Sequence, residues 1–318
     1  MAKIIITDES LKKSAITYRR ELLIMPIISA MATLQHMTPR PGVAGRDVVG
    51  ELSGDIDLGP YDPKRIDDTD MSVKPRVLET YLGSVVKSFD PNSVAKTVYG
   101  QLQAQGESLA NADISQQVLN YLAMKLGGKL NSAIFSAKRN DAGKTTAELF
   151  DGFDTITQKE IDGTAIAEGK GNLYNFGEAI DSTNAVDMLM NFYEAADDNL
   201  KAVPTKLFIP GNVYTAYNRD YLQTFGSVPY NSEYKKTFLE GTDNLCELVP
   251  LAGKKGSSFL HLSTKGNMVY GYGDGLAAEN ISIEKYHPFL LYFVATMYFG
   301  CQFESISKER LFVGKLSA

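Results

Sequence analysis

Two cysteines and three histidines in 318 residues leave little for metal or redox chemistry. Cys246 and Cys301 lie far apart, each in an apolar, strand-like run, and His36, His261 and His287 add no paired ligand spacing. Neither a disulfide framework nor a zinc site is signalled, no cofactor is implied, and both thiols are expected buried and reduced, as in a cytoplasmic folding compartment. Tryptophan is absent, and basic residues do not dominate: 32 Lys and Arg stand against 38 Asp and Glu, a formal net charge of -6. Chains that grip nucleic-acid phosphates carry a basic excess or stripe, so such binding is not this chain's evident task. No apolar run reaches the ~20 residues of a membrane span, and no membrane partner is expected. The nearest to a targeting segment is "RRELLIMPIISAMA", Arg19 to Ala32, which ends in small residues. Asp8, Glu9, Glu21 and the internal Pro26 make it a packing helix instead.

What is present is an ordinary soluble balance, 44% hydrophobic and 22% charged, at a length that allows more than one packed unit. From Ser10 to Met37, apolar residues recur in steps of three and four through Leu11, Ala15, Tyr18, Leu22, Met25, Ile28, Met31 and Leu34, an N-terminal helical arm kinked at Pro26. Thr38 to Val77 is dense in Gly, Pro and Asp, too long for a structureless connection inside a compact domain. It is either disordered or a projecting loop that something outside its own subunit orders. Arg76 to Asp90 reads as a strand. The clearest helix begins at an Asp113/Gln116 capping box and repeats Ile114, Val118, Leu122, Leu126, Leu130, Ile134 and Ala137, a spine about 35 Å long with Gly127-Gly128 at its middle.

Asn140 to Gly143 reads as a turn, Thr145-Thr146 starts a short helix closed by "DGFDTI", and Thr157 to Ile180 reads as loops and short strands. A second long helix is expected from Thr183 to Leu200, then a strand "TKLFIP", a helix Asn212 to Phe225 and a cap at Gly226. The last third reads as strands, with Lys265-Gly266 as a hairpin turn and Phe289 to Phe303 as a long central strand whose odd positions are all apolar.

"NDAGKTTAEL", Asn140 to Leu149, holds the Gly-Lys-Thr of a phosphate loop, the one opening for a nucleotide-dependent enzyme. Such a loop needs a glycine where Lys138 stands, and it must follow a buried strand rather than a helix end, so the match fails twice. "GYGDG", Gly271 to Gly275, lacks the helix that a dinucleotide site requires, and "DDTD", Asp67 to Asp70, lacks calcium-loop spacing. His261 is expected to face out of a strand between Leu260 and Leu262, and His287 to pack at a strand boundary before Pro288. The 17 Tyr and 15 Phe fall largely on apolar faces, which favours core packing over stacking on ligands. No catalytic constellation survives, and the chain reads as a non-enzyme.

Arm, Gly/Pro/Asp-rich loop, spine helix, compact α/β unit and final long strand follow one another in an order that resembles tailed-bacteriophage major capsid proteins of the Hong Kong 97 fold. "LETYLGSVVKSFDPNSV", "LNSAIFSAKRNDAGKTTAELFDGFDTI", "VPYNSEYKKTFLEG" and "FVATMYFGCQFESISKERLFVGKL" are similar to capsid proteins of phages and prophages of Bacteroides-type hosts. The resemblance implies an α+β chain with an N-arm (1–37), an extended E-loop (38–90), a P-domain with the spine helix (91–180), an A-domain (181–275) and closing P-domain strands (276–318). It implies a virion shell protein, assembled in the host cytoplasm from pentamers and hexamers into an icosahedral head, with a scaffolding protein and a portal as partners. Double-stranded DNA would be enclosed without sequence-specific binding. An encapsulin-like compartment shell is the alternative with the same fold. Inter-subunit contacts are expected from Leu22, Met25 and Met31 of the arm and from Arg40, Arg46, Lys64, Arg65 and Lys74 of the loop. Lys64 and Lys74 occupy the loop from which some members cross-link, but no Asn and catalytic carboxylate mark a partner, so no cross-link is expected. The arm begins almost at Met1, which places any scaffolding segment in a separate chain or among residues already removed. Apart from the resemblance, an arm and a loop that cannot bury themselves need neighbours to order them.

Overall fold

The computed structural model describes residues 30–53, 61, 72–89, 114–226, 237–273, 281–287 and 290–317. Most of the expected arm, the middle of the long loop and the Asp113 cap lie outside these residues. The described elements are α1 (Met31–Leu34), β1 (Thr38–Pro41), β2 (Arg46–Ser53), β3 (Ser72–Glu79), β4 (Tyr81–Phe89), α2 (Ile114–Ser136), α3 (Phe153–Asp162), β5 (Leu173–Asn175), α4 (Ala185–Glu194) and α5 (Asp198–Lys201). They continue with β6 (Thr205–Pro210), α6 (Gly211–Phe225), β7 (Cys246–Leu251), β8 (Phe259–Ser263), β9 (Met268–Gly273), β10 (Ile281–His287), β11 (Leu290–Phe303) and β12 (Leu311–Lys315).

The expected central strand is β11. It pairs antiparallel with β4 along 291–299, with β10 along 290–295 and with β9 along 298–303, and β1 adds to β9 in parallel. Its odd face is buried at Phe293, Phe299, Cys301 and Phe303, the last three in the first core. Phe299 and Phe303 meet Phe150 and Phe153, each at 4.9 Å between ring centroids. The spine helix α2 lies under this face through Leu130, Ala133, Ile134 and Phe135. It runs unbroken through Gly127-Gly128. In its described first half the buried positions are Ala123 and Gly127, while Leu122 and Leu126 are only half-buried. The apolar stripe therefore enters the core one position later there than the spacing predicts.

The second sheet has the order β5-β12-β8-β6-β7, and it is buried on both faces. Phe208, Val249, Leu251, Phe259, Leu311 and Val313 point into the first core. Their alternates Leu207, Ile209, Leu248, Leu260, Leu262 and Phe312 point into a second core closed by α4 and α6. A strand side chain has two directions only, and here neither is wet. This corrects the expectation for His261, which is fully buried on the first-core side.

Three further expectations change. Phe153–Asp162 is a helix, not a closing turn, and it buries Phe153, Ile156 and Thr157. It starts at Gly152, where a Cβ would collide with the Phe135 carbonyl of the spine helix. The helix expected from Thr183 to Leu200 is two, because the Asp197 side chain accepts from Asn199 N at 3.0 Å and caps a new start. Lys265-Gly266 does not close a hairpin: β8 belongs to the second sheet and β9 to the first, so this turn carries the chain between sheets. Buried Asn267 pins it, donating to Ser263 Oγ at 3.0 Å and accepting from Ser305 N at 2.7 Å. Both cysteines are buried and free. Burial pushes the Cys246 thiol up to about 12, and Cys301 also rises, through burial and then Asp151.

Two glycine substitutions should move stability in opposite directions. On Gly300 a Cβ would strike the Glu79 carbonyl, whereas on Gly128 in the spine helix it would meet nothing within 4 Å. Gly300→Ala should destabilise by at least about 2 kcal/mol through overpacking against backbone. Gly128→Ala should stabilise by about 0.5–1 kcal/mol. Paired thermal melts check both signs.

Candidate functional site

The "NDAGKTTAEL" stretch is a closed turn after the spine helix. Gly143 N bonds Asn140 O at 2.9 Å. The Glu148 carboxylate then takes the loop's donors: Lys144 N at 3.1 Å, Thr145 N at 3.2 Å, Thr145 Oγ1 at 2.7 Å and Asn140 Nδ2 at 3.2 Å. These bonds, the Thr145 hydroxyl first, hold Glu148 below the ordinary carboxylate range. The groups that a phosphate would need are thus engaged by the chain's own carboxylate. Among the described residues no cluster of His, Cys, Asp and Glu is arranged to hold a metal, and no helix is long and apolar enough to cross a membrane.

The turn forms one wall of a groove of about 500 Å³. Its other walls are Leu82 and Val85 of β4, Ala123 and Leu126 of α2, and Phe293 and Met297 of β11. Large apolar side chains stand exposed on these same elements: Leu82 at 53% and Val86 at 61% on β4, Tyr121 and Met124 on α2. Of these, Leu82 also lines the groove, whereas Val86, Tyr121 and Met124 stand outside its lining; single exposed apolar residues mean nothing, and it is their number on adjoining elements that makes this surface a candidate.

The hairpin β2–β3 is a second surface. Its two strands pair in unbroken antiparallel register from Arg46↔Glu79 to Ser53↔Ser72 and form a sheet of their own. The inner face carries Val49 and Leu78, which pack on Val269. The outer face carries the cross-strand pair Val48 and Val77, 68% and 42% exposed. Fixation comes at the root. Thr80 N donates to Gly45 O at 2.7 Å, and Thr80 Oγ1 accepts from Gly45 N at 2.9 Å. Arg76 ties β3 to the body, with Nε donating to Phe303 O at 3.1 Å, one terminal nitrogen to Gln302 Oε1 at 3.2 Å, and an ion pair to Glu160 of α3. Gln302 returns a bond to Val77 O at 3.1 Å. At the bend into β4, Tyr81 donates to Glu79, and Arg139 lies 4.0 Å over its ring. Burial, then the bond to Glu79, push the Tyr81 hydroxyl up to about 12.

The expected contact residues separate into groups. Leu22, Met25, Lys64 and Arg65 lie outside the described residues, as does the Met31 side chain, although its backbone is in α1. Arg40 faces Glu304 of its own chain at 3.6 Å. Arg46 pairs with Glu79 at 2.9 Å while its side chain stays 79% exposed, and Lys74 stands exposed opposite Glu51 on the hairpin. Sequence reasoning did not single out the exposed apolar side chains Val48, Val77, Leu82, Val86, Tyr121 and Met124. The available signal was in "VLETYLGSVVKS", where apolar residues fall on both faces of an alternating run.

No protein-family model and no curated protein matches the chain. Solved structures do. The chain is similar to a chain of the capsid of an empty GTA particle, with a TM-score of 0.59 at 12% identity, covering 91% of this chain and 90% of that one. It is similar to a chain of the satellite phage P4 procapsid with size determination protein, TM-score 0.57 at 9% identity, covering 94% and 90%. It is also similar to the holo-SrpI encapsulin complex of Synechococcus elongatus PCC 7942, TM-score 0.51 at 14% identity, covering 89% and 85%. The shared property is the fold: a mixed helix and strand chain of the Hong Kong 97-like capsid type, as the sequence resemblance implies.

Removing the Arg76 guanidinium leaves Glu160, Gln302 and the Phe303 carbonyl without their shared partner. Arg76→Ala should therefore lose about 1.5–3 kcal/mol in denaturant unfolding and speed proteolytic cleavage in the hairpin. Arg76→Lys, which keeps charge but not the branched donor set, should fall between.

Proposed function

We propose that the chain is a structural shell subunit, a phage major capsid protein whose copies assemble as pentamers and hexamers into an icosahedral head around double-stranded DNA. The observation that carries this reading is the bare hairpin. A two-stranded ribbon with exposed Val48 and Val77 on its outer face is marginal alone. Both its faces become dry if a neighbouring copy covers it, and the same holds for the apolar groove rim on β4 and α2. The fold likeness supports the reading, and the two phage-type particles are matched at higher TM-scores than the encapsulin.

In this reading residues 1–37 are the arm, 38–90 the projecting E-loop, 91–180 and 276–318 the P-domain, and 181–275 the A-domain. Arm and loop residues make the contacts between copies. The subunit's role is packing rather than catalysis. A net charge of -6 fits a wall that contains DNA without gripping it. A scaffolding protein and a portal are the partners such a head requires, assembly takes place in the host cytoplasm, and the virion capsid is the final location.

Negative-stain microscopy with sedimentation velocity on the purified chain tests the proposal. Capsomers or closed shells are expected, and a persistent monomer at high concentration would sink it. Shells that carry a protein cargo instead of nucleic acid would favour the encapsulin-like compartment. Val86→Asp places a charge on the exposed apolar face of β4 and should leave the subunit folded, its melting temperature within about 2 °C of the parent. The same substitution should prevent assembly.

A further inference from the structure

Where the second sheet meets the spine helix, the buried Thr157, Lys254 and His261 and the partly exposed Asp154 form a polar cluster that no contact surface uses. The 3-10 turn Ala252–Lys254 lies directly on α2: a Cβ on Gly253 would come within 2.6 Å of the Asn131 carbonyl. From this turn the fully buried Lys254 ammonium directs its three donors at three acceptors. Asp154 Oδ1 on α3 is at 3.1 Å, His261 Nδ1 on β8 at 3.0 Å, and the Phe135 ring face of α2 at 4.3 Å. Ammonium groups only donate, so Nδ1 of His261 must hold a lone pair. The proton then sits on Nε2, which donates to Thr157 Oγ1 of α3 at 2.8 Å. The cluster therefore ties turn, α3, β8 and spine helix together on one condition, a neutral His261.

A second positive charge here would have to share one carboxylate with Lys254. Among the described residues, the charged groups that face His261 are Lys254 on the turn and Asp154 on α3, the latter 3.8 Å from Nδ1 and already engaged by Lys254. The rings of Phe135, Phe259 and Phe303 complete its surroundings, and its partners across the sheet are Phe208 and Val313. A proton on Nδ1 would point at an ammonium 3.0 Å away, with both side chains fully buried.

We infer that His261 makes this joint an acid-operated latch, closed while the imidazole is neutral and released from Lys254 and α3 when it takes a proton. Burial, then Lys254, hold the His261 value well below its ordinary 6.5. With the folded value depressed, the unfolded or opened chain binds more protons below about pH 6.5. The latch's contribution is thus fully present above that pH and is lost progressively as pH falls. The inference rests on the joint's geometry and stands apart from the shell reading.

The test compares full-length parent and His261→Gln, whose amide can accept from Lys254 and donate to Thr157 but cannot titrate. Relative to the variant, the parent's unfolding or opening constant should rise between pH 7.5 and 5, reaching up to about 30-fold at pH 5. Parallel profiles would overturn the latch. Should the variant fail to fold, ¹⁵N spectra of the parent's imidazoles decide instead. His261 should show the neutral Nε2–H form at pH 7 and keep it while the joint stays closed. A protonated Nδ1 at pH 7, or titration near 6.5 in the intact fold, would equally overturn it.

Discussion

A long strand must find backbone partners along both edges and a dry face for its side chains, and β11 meets both demands at once. Pairing with β4 brings the chain leaving the hairpin hard against the middle of the first sheet. The approach is so close that position 300 tolerates no side chain against Glu79. Pairing with β9 and β10 brings in the strands that follow the second sheet. The odd face of β11 then supplies Phe299 and Phe303 as the floor on which spine helix and α3 rest. Hairpin root, groove and spine helix are all placed by this one strand.

The second sheet follows a different rule. Buried on both sides, its strands send alternate residues into two cores, so a polar side chain there must find its partners inside the protein. Lys254, His261, Asp154 and Thr157 satisfy one another across three elements. The two halves of the chain are thus joined by shared apolar core and by a small polar set that works in one protonation state only. The outer surface shows the reverse: Val48, Val77, Leu82 and Val86 remain exposed. Under the proposed shell reading, these exposed side chains on the hairpin, β4 and α2 are the ones that neighbouring copies would cover.

The elements most legible in the sequence were those with long, regular patterns. The spine helix could be read from its four-residue repeat, and β11 from its odd-position apolar run, because burial on one face imposes that period. The failures have physical causes. Ten residues of α3 give too few turns for a pattern to rise above chance, and its start is set by a tertiary clash at Gly152. Lys265-Gly266 has hairpin chemistry, but the sheet each flanking strand joins is decided by partners far away in the chain. His261 was assigned outward because a polar residue between leucines usually faces water, and a sheet with two cores reverses that. The Gly/Pro/Asp-rich loop was set apart by composition alone, and its described ends form β1, β2 and β3. The exposed apolar side chains of β4 were not legible, because the free face of β4 follows from its register with β11.

The central claim is that the hairpin and the groove rim become dry only between copies. Hydrogen exchange followed by mass spectrometry, on isolated subunits and on assembled particles of the same chain, addresses it directly. The account predicts that β2, β3, β4 and the described first half of the spine helix gain protection on assembly, while β8 and β12 are equally protected in both. Particles that form with no change at the hairpin and rim, and with new protection confined to other segments, would contradict it.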